Sequence, residues 1–197
     1  MAYFYQNTVT FFSDSEEELR NLEKRMSGRG PYYHNESKEK EINYFNFNNI
    51  ISVPNNILEE GFQLKGKRFQ QTYWGTSHNS TSVSVEDIKL SMKPEIGKYE
   101  LVYDFCTVNG PPKNIIEKLP ELFGSISFEW SYTESSIPDF GHHSYISGDG
   151  INQSGDFFDI NYSLRDYADY NSLLAAVIAD NICEYLVEEA RMLLELN

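Results

Sequence analysis

Four histidines are the first residues to consider for catalysis or metal binding in this 197-residue chain. His142 and His143 are adjacent, so on a strand their side chains point to opposite faces and cannot share one metal ion. His34 and His78 lie in segments predicted as loops, with no cysteine or second histidine at metal-ligand spacing. We therefore expect solvated histidines, with no catalytic residue, no metal site and no cofactor.

An Asp- and Gly-rich stretch, predicted to be a loop over residues 148–162, is a candidate calcium site. An EF-hand loop places oxygen ligands at alternate positions. Counted from Asp149, the third position is Ile151, so that pattern fails. A looser cation site over residues 149–159 stays open. The chain carries no P-loop, dinucleotide fingerprint or Gly-x-Ser-x-Gly motif.

A second candidate site is a pocket formed by the Trp74-Gly75-Thr76 triplet together with Phe105 and Thr107. Aromatic rings with a few polar groups are typical of small-ligand pockets. The alternative is a tryptophan packed at a corner between a loop and a strand, with Gly75 supplying an unusual backbone angle. We prefer the packing interpretation and keep the pocket as an alternative.

The charged residues are distributed unevenly along the chain. Residues 121–197 contain 14 acidic and two basic residues, a balance of −12, whereas residues 1–120 contain 16 acidic and 14 basic residues, a balance of −2. Such a field repels nucleic acid and anionic membranes and attracts basic protein surfaces. We therefore expect a protein partner with a basic surface, and no direct binding to nucleic acid or membrane.

The longest predicted helix, residues 173–196, carries Asp180, Glu184 and Glu188 at four-residue intervals on one face. At about 1.5 Å rise per residue, successive carboxylates lie ~6 Å apart along the axis. Phosphates on one DNA strand follow at a comparable scale, about 3.4 Å of axial rise each. A DNA-mimicking acidic ridge is one interpretation, and a solvated helix face is the other. The residues assigned to the acidic ridge are Asp156, Asp159, Asp166, Asp169, Asp180, Glu184 and Glu188.

The first turns of this helix are apolar nearly all round, which indicates burial on more than one side. The helix therefore packs either on the preceding domain or on a second copy of the chain, as a homodimer. The residues that would form the self-association contact are Leu173, Leu174, Val177 and Ile178.

The elements that must position these residues are predicted from periodicity and capping. Strand-like patterns occur at residues 3–12, 43–53, 81–92, 98–108, 125–133 and 139–147. Helices are predicted after Ser15, which starts a capping box with Glu18, and after Pro111-Pro112. Residues 61–80 are predicted to be irregular.

This order predicts an α+β fold of the ferredoxin-like type. In that fold a split β-α-β antiparallel sheet carries two helices on one face. We expect loop insertions between residues 28 and 81 and a C-terminal helical extension. Residues 1–150 would form the decorated ferredoxin-like domain, and residues 151–197 the acidic loop and C-terminal helix.

The N-terminus and the cysteines predict a cytoplasmic protein. MAYFYQNTVTFF has no positive region and no long apolar core, so it does not match a signal peptide. No stretch reaches the roughly 18 apolar residues of a membrane span. Cys106 and Cys183 lie in apolar contexts, as expected for free thiols in a reducing compartment.

The chain resembles the YubB-type ferredoxin-like family of plasmid and bacteriophage proteins over roughly residues 5–148. Those proteins tend to have an Asn-rich strand ending in proline, a Trp-Gly-Thr triplet, and a Phe-x-Thr segment followed by paired prolines. The segments that carry the resemblance are NTVTFFSDSEEELRNL, FNFNNIISVP, Trp74-Gly75-Thr76, YDFCTVNGPPKNIIEKLPELF and ISFEWSYTE.

Two positions depart from the family pattern. Ser77-His78-Asn79 replaces a Lys-Trp-like continuation, and Val108-Asn109-Gly110 replaces a tryptophan-containing run. The resemblance implies a ferredoxin-like fold, a mobile-element origin and a bacterial host cytoplasm. It implies no established chemistry.

Charge and resemblance together predict a non-enzymatic phage or plasmid accessory protein that binds a host protein. The sharper form of this hypothesis is inhibition of a nucleic-acid-binding defence system through the acidic ridge. The first alternative is a small-ligand-binding or enzymatic domain with a pocket near the Trp-Gly-Thr loop. The second is a structural oligomerisation module.

Overall fold

An antiparallel β-sheet is the central element of the protein. The computed structural model describes residues 2–34, 41–134, 139–147 and 156–163. The strands are β1 (Phe4–Ser13), β2 (Thr81–Val85), β3 (Lys89–Leu90), β4 (Tyr99–Val108), β5 (Ser127–Glu134), β6 (Asp139–Ile146) and β7 (Asp156–Ser163). The α-helices in the described part are α1 (Glu16–Met26), α2 (Asn55–Glu60), α3 (Lys67–Tyr73) and α4 (Lys113–Leu122).

The strand order across the sheet is β2-β4-β1-β5-β6-β7, and the short β3 also pairs with β4. Every pairing is antiparallel. Val9 at the centre of β1 lies opposite Tyr103 of β4 on one side and Trp130 of β5 on the other. The predicted α+β class and the antiparallel sheet are confirmed.

One face of the sheet forms the core. In β1 the buried positions Tyr5, Val9 and Phe11 alternate with more exposed neighbours, as expected for a strand with one covered face. Helices α1 and α4 contribute the opposing apolar side chains at helical spacing. These are Leu19, Leu22, Met26, Ile115, Ile116 and Leu119, all buried.

Helix α1 begins where its capping residues predict. The Ser15 hydroxyl accepts a hydrogen bond from the Glu18 backbone N–H at 3.4 Å. The Glu18 carboxylate does not return to the Ser15 backbone and instead accepts from the Ser13 hydroxyl at 2.6 Å. At the other end, Asn49 Nδ2 donates to the carbonyls of Arg25 and Ser27, both at 2.9 Å. A distant asparagine therefore caps the carbonyl end of this helix.

The predicted strand over residues 43–53 is wrong. The segment turns through a 3-10 helix, Phe47–Asn49. Asn43 Oδ1 accepts from the Phe45 N–H at 2.9 Å, and Asn46 Oδ1 accepts from the Asn48 N–H at 3.2 Å. Such side-chain contacts to the backbone two residues on favour turns over a strand ladder.

Aromatic side chains from this turn segment complete the core. Phe45 stacks on Phe105 with ring centroids 4.6 Å apart, and Phe47 meets Trp74 edge-on at 5.8 Å. Both phenylalanines are apolar and fully buried, but they lie in a turn segment and not in the predicted strand.

Three further segments differ from the predicted elements. Residues 61–80 contain a π-helical turn (Phe62–Gly66) and α3, and residues 148–162, predicted as a loop, contain most of β7. The predicted strand at residues 81–92 divides into β2 and β3. Pairing along the full length of β6 outweighs the Gly- and Asp-rich composition before β7.

The predicted helix at residues 173–196 lies outside the described residues. Among the helices that the structure describes, none has the length and apolar character needed to cross a bilayer.

Substitution of Tyr103 by Phe tests the core. Burial, together with the negative charge of Glu23, raises the pKa of the Tyr103 hydroxyl, whose oxygen has no hydrogen-bond partner in the described part of the chain. Because a buried unpaired hydroxyl is costly, Y103F should leave the free energy of unfolding unchanged or raise it by about 1 kcal/mol.

The matched control is Y145F, because the Tyr145 hydroxyl donates to the Gly124 carbonyl at 3.3 Å. This variant should lose about 0.5–1.5 kcal/mol. Urea denaturation measures both variants, and a larger loss in Y103F than in Y145F would contradict the expectation.

Candidate ligand-binding cleft

Trp74 packs in the interior and holds two segments together. Its side chain is fully buried, and its Nε1–H donates to the Ile51 carbonyl at 2.8 Å. The indole thereby joins the end of α3 to the chain that follows the 3-10 helix. Trp74 therefore has the packing role that we preferred over a ligand pocket.

The hydroxyl groups of the two threonines of the predicted pocket both donate hydrogen bonds to main-chain carbonyls. Thr76 Oγ1 donates to the Val108 carbonyl at 2.9 Å and accepts from the Val108 N–H at 3.2 Å. Thr107 Oγ1 donates to the Gly110 carbonyl at 2.8 Å and accepts from Asn7 Nδ2 at 3.1 Å. The Thr76 contacts clamp the Trp-Gly-Thr turn to the end of β4, whereas the Thr107 contacts join β4 to Gly110 and to Asn7 of β1.

Gly75 lies where a side chain would collide with the neighbouring turn. Its φ is +84°, and a Cβ there would lie 2.7 Å from the Pro111 carbonyl oxygen. A Cβ on Gly110 would lie 2.4 Å from the Gly75 oxygen. Of the five predicted pocket residues, Trp74, Thr76, Phe105 and Thr107 are buried.

A cleft of about 270 Å³ opens directly beyond this turn. None of the five predicted pocket residues lines it. The lining residues are Gly30, Pro31, Tyr33, Glu41, Asn43, Phe62, Gln70, His78, Asn79, Ser80 and Thr81. The small-ligand alternative predicted a pocket at the Trp-Gly-Thr loop. The cleft lies next to that loop and is lined by other residues.

Aromatic rings form one wall of the cleft. The Tyr33 and Phe62 centroids lie 5.5 Å apart, and those of Phe62 and His78 lie 5.2 Å apart. The Tyr33 ring packs closely on the π-helical turn at Gly66, where an added Cβ would lie 2.4 Å from the ring. The wall is therefore built by close packing of three separate segments.

Most polar side chains in the cleft are held by the protein itself. Asn79 Nδ2 donates to the Gly30 carbonyl at 3.3 Å, Asn43 Nδ2 donates to the Ser80 carbonyl at 2.8 Å, and the Ser80 hydroxyl donates to the Phe45 carbonyl at 2.6 Å. These bonds orient the lining side chains before any ligand is present.

Gln70 differs from the other polar residues of the cleft. Its side chain is 2% exposed, and its Nε2 donates to Tyr33 Oη at 2.8 Å. Its Oε1 has no hydrogen-bond partner in the part of the chain that the structure describes. A buried acceptor left unpaired is costly to the protein, so this atom is a candidate ligand contact.

His78 is held neutral in the cleft. Burial, with a smaller contribution from the positive charge of Lys67, lowers the pKa of the imidazole. Its Nδ1 lies 3.0 Å from the Ser77 hydroxyl. A neutral imidazole beside Phe62 adds to the aromatic wall without adding charge.

The other histidines give no metal site in the described residues. His142 Nε2 lies 2.9 Å from the Ser144 hydroxyl, whereas the His143 ring stacks on Trp130 at 4.5 Å. No group of three His, Cys, Asp or Glu residues among those described is placed to hold a metal ion. Residues 149–155 of the candidate calcium loop lie outside the described residues.

The acidic ridge is described only in part. Asp156 and Asp159 lie in β7, in register with Ile146 and His143 of β6. The remaining predicted residues of the ridge and of the self-association contact lie outside the described residues and stay predictions. They are Asp166, Asp169, Asp180, Glu184, Glu188, Leu173, Leu174, Val177 and Ile178.

Sequence reasoning missed Gln70, Tyr33 and Phe62. A glutamine in a short helix is ordinarily exposed, so nothing in the local pattern marks Gln70 as buried. Tyr33 and Phe62 meet only after the chain folds back, 29 positions apart in sequence.

Comparison of the chain with models of protein families, with curated proteins and with solved structures finds no match. The YubB-type resemblance therefore stays an expectation.

Alanine substitutions at the glycine contact test the clamp beneath the cleft. G75A and G110A should each lower the free energy of unfolding by about 2–4 kcal/mol. The two methyl groups would enter between the same two turns, where Gly75 faces the Pro111 oxygen and Gly110 faces the Gly75 oxygen. The double variant should cost less than the sum, since one displacement of the turn accommodates both methyl groups.

G124A is the control, because its Cβ would lie 3.1 Å from the nearest atom and requires only a small adjustment. Urea denaturation compares the four variants. Equal losses in G75A, G110A and G124A would rule out the close contact.

Replacement of His78 by Gln tests the electrostatics of the cleft. Because the folded state lowers the pKa below the ordinary 6.5, the unfolded state binds more protons near that pH. His78 therefore stabilises the fold above about pH 6.5, and the contribution falls as the pH decreases. H78Q should flatten the decline in unfolding free energy between about pH 7.5 and 5.

Part of the decline should remain in H78Q. Burial also lowers the pKa of His142, with an added effect of Lys93 and an opposing effect of Glu129. H142Q should remove the part of the decline in unfolding free energy that is due to His142. An unchanged slope in H78Q, measured by urea denaturation across this pH range, would contradict the assignment.

Proposed function

We propose that the protein is a non-enzymatic accessory protein that binds a host protein through an acidic surface near its C-terminus. The observation that carries this proposal is the charge after Ser147, where ten acidic and two basic residues give a balance of −8. A partner with a basic surface is the physical complement of such a segment.

Ion pairs within the described part support the proposal. Among the described residues, Lys93 pairs with Glu129 and Lys118 pairs with Glu121, so these two carboxylates have cationic partners close to them. Other cations also pair with carboxylates close to them in the described part, namely Arg20, Lys65, Lys89 and Lys113. These cations therefore have carboxylate partners among the described residues.

The ferredoxin-like assignment belongs to the same proposal. The strand order β2-β4-β1-β5 and the position of α1 after β1 and α4 after β4 support it, because the split β-α-β unit has this arrangement. Strands β6 and β7 then extend the sheet beyond the four strands of that unit. Membership of the YubB-type family, and with it a phage or plasmid origin in a bacterial cytoplasm, remains part of what we propose.

Mimicry of nucleic acid is the most specific form of the proposal. Carboxylates at four-residue intervals on a helix would present a row of negative charges, as a phosphate backbone does. The partner would be a host defence protein whose basic groove normally holds nucleic acid. Such binding is expected to weaken with salt, because exposed charges are screened.

Neutralising the predicted helix face tests the proposal. The variant D180N/E184Q/E188Q removes three negative charges, each worth about 0.5 kcal/mol in an exposed ion pair. This loss corresponds to roughly tenfold weaker binding. The measurement is capture of proteins from a bacterial lysate on immobilised protein at low and high salt, quantified by mass spectrometry.

The matched control removes the same charge elsewhere. Glu59, Asp87 and Glu95 are exposed, so E59Q/D87N/E95Q changes the net charge equally without touching the acidic segment. It should retain the salt-sensitive partners of the wild type. Equal capture by the wild type and D180N/E184Q/E188Q at moderate salt would overturn the proposal.

A further inference from the structure

We propose that the cleft lined by Tyr33, Phe62, Gln70 and His78 binds a small, uncharged, planar nitrogen heterocycle, of nucleobase chemistry, whose N–H group donates to Gln70 Oε1. This site is separate from the acidic segment after Ser147. It assigns the protein a small-molecule binding activity in addition to partner binding.

The size and walls of the cleft favour a flat ligand of one or two rings. Its volume, about 270 Å³, lies below the range typical of drug-sized ligands. Tyr33, Phe62 and His78 present ring surfaces inclined to one another by 50–64°. Aromatic side chains of this kind pack against a planar ring by stacking or edge contacts.

The polar chemistry of the cleft selects a hydrogen-bond donor. Asn43, Asn79 and Ser80 already donate to groups of the protein. Gln70 Oε1 is the buried acceptor that these bonds leave unpaired, within the described residues. Its amide is held by the bond from Nε2 to Tyr33 Oη, and Gln70 is one of the residues that line the cleft. A ligand N–H that reaches this oxygen would complete its hydrogen bonding.

The charge of the described lining disfavours an anionic ligand. Among the described residues that line the cleft, Glu41 contributes a carboxylate and there is no lysine or arginine. A phosphate group would therefore enter without a counter-charge in the lining, at a large desolvation cost. This favours a free base or a related neutral heterocycle over a nucleotide.

Chemical-shift titration of the full-length ¹⁵N-labelled chain tests the proposal. The probes are 9-methyladenine and 1-methylcytosine, which carry exocyclic N–H donors, and N6,N6,9-trimethyladenine, which has the same rings without an N–H. We expect at least one donor probe to shift the amide resonances of Tyr33, Gln70 and His78. The trimethylated probe should bind at least roughly tenfold more weakly, because it leaves the buried acceptor unpaired.

Gln70→Met keeps a similar volume without the acceptor and should weaken donor-probe binding by at least roughly tenfold. Gln71→Met makes the same change at the exposed neighbouring residue and should bind like the wild type. If Q70M does not fold, the comparison of methylated and unmethylated probes on the wild type decides the question.

Three results would each overturn the proposal. They are no shift of cleft resonances by either donor probe at its solubility limit, equal binding of 9-methyladenine and its trimethylated analogue, and wild-type affinity in folded Q70M. None of these results bears on the acidic partner surface, whose residues are different.

Discussion

The asparagine side chains between α1 and β2 make the hydrogen bonds on which the rest of the described structure depends. This segment brings Phe45, Phe47 and Trp74 into the core without strand pairing, so its buried backbone groups need other partners. Asn79 supplies one of these partners, because its Oδ1 accepts from the Phe47 N–H at 2.9 Å. Its Nδ2 also donates to the side-chain oxygen Oδ1 of Asn46 at 2.8 Å. Because each amide offers donors and an acceptor, one residue satisfies several neighbours.

The candidate cleft is a consequence of that network. Asn79 lies between His78 and Ser80, so the bonds that hold the turn segment also orient one wall of the cleft. The clamp of Thr76 on Val108 fixes the chain immediately before it. Gln70 enters from α3, and within the described residues its Oε1 has no hydrogen-bond partner. The ligand proposed for the cleft would supply that partner.

The two proposed activities use different physical chemistry in different parts of the chain. The described lining of the cleft combines aromatic rings with amide and hydroxyl groups and has no lysine or arginine, so the proposed selectivity rests on shape and hydrogen bonding. The segment after Ser147 is strongly acidic, so its selectivity comes from charge and falls with salt. Within the described residues, Lys89 and Lys93 pair with carboxylates near them.

The sequence by itself determined what depends on near neighbours: strands β1, β4, β5 and β6, the Ser15 cap of α1, the positive φ of Gly75 and the burial of Trp74. The structure confirms these predictions. They could be made from the sequence because periodicity and capping depend on residues that are close together in the chain. Tertiary structure alone decided the turns at residues 43–53, the strand character of β7 and the burial of Gln70. Each of these is stabilised by residues distant in the chain: Asn46 by Asn79, β7 by the full length of β6, and Gln70 by Tyr33. A local pattern cannot predict them, because the partner that stabilises each conformation arrives only when the chain folds.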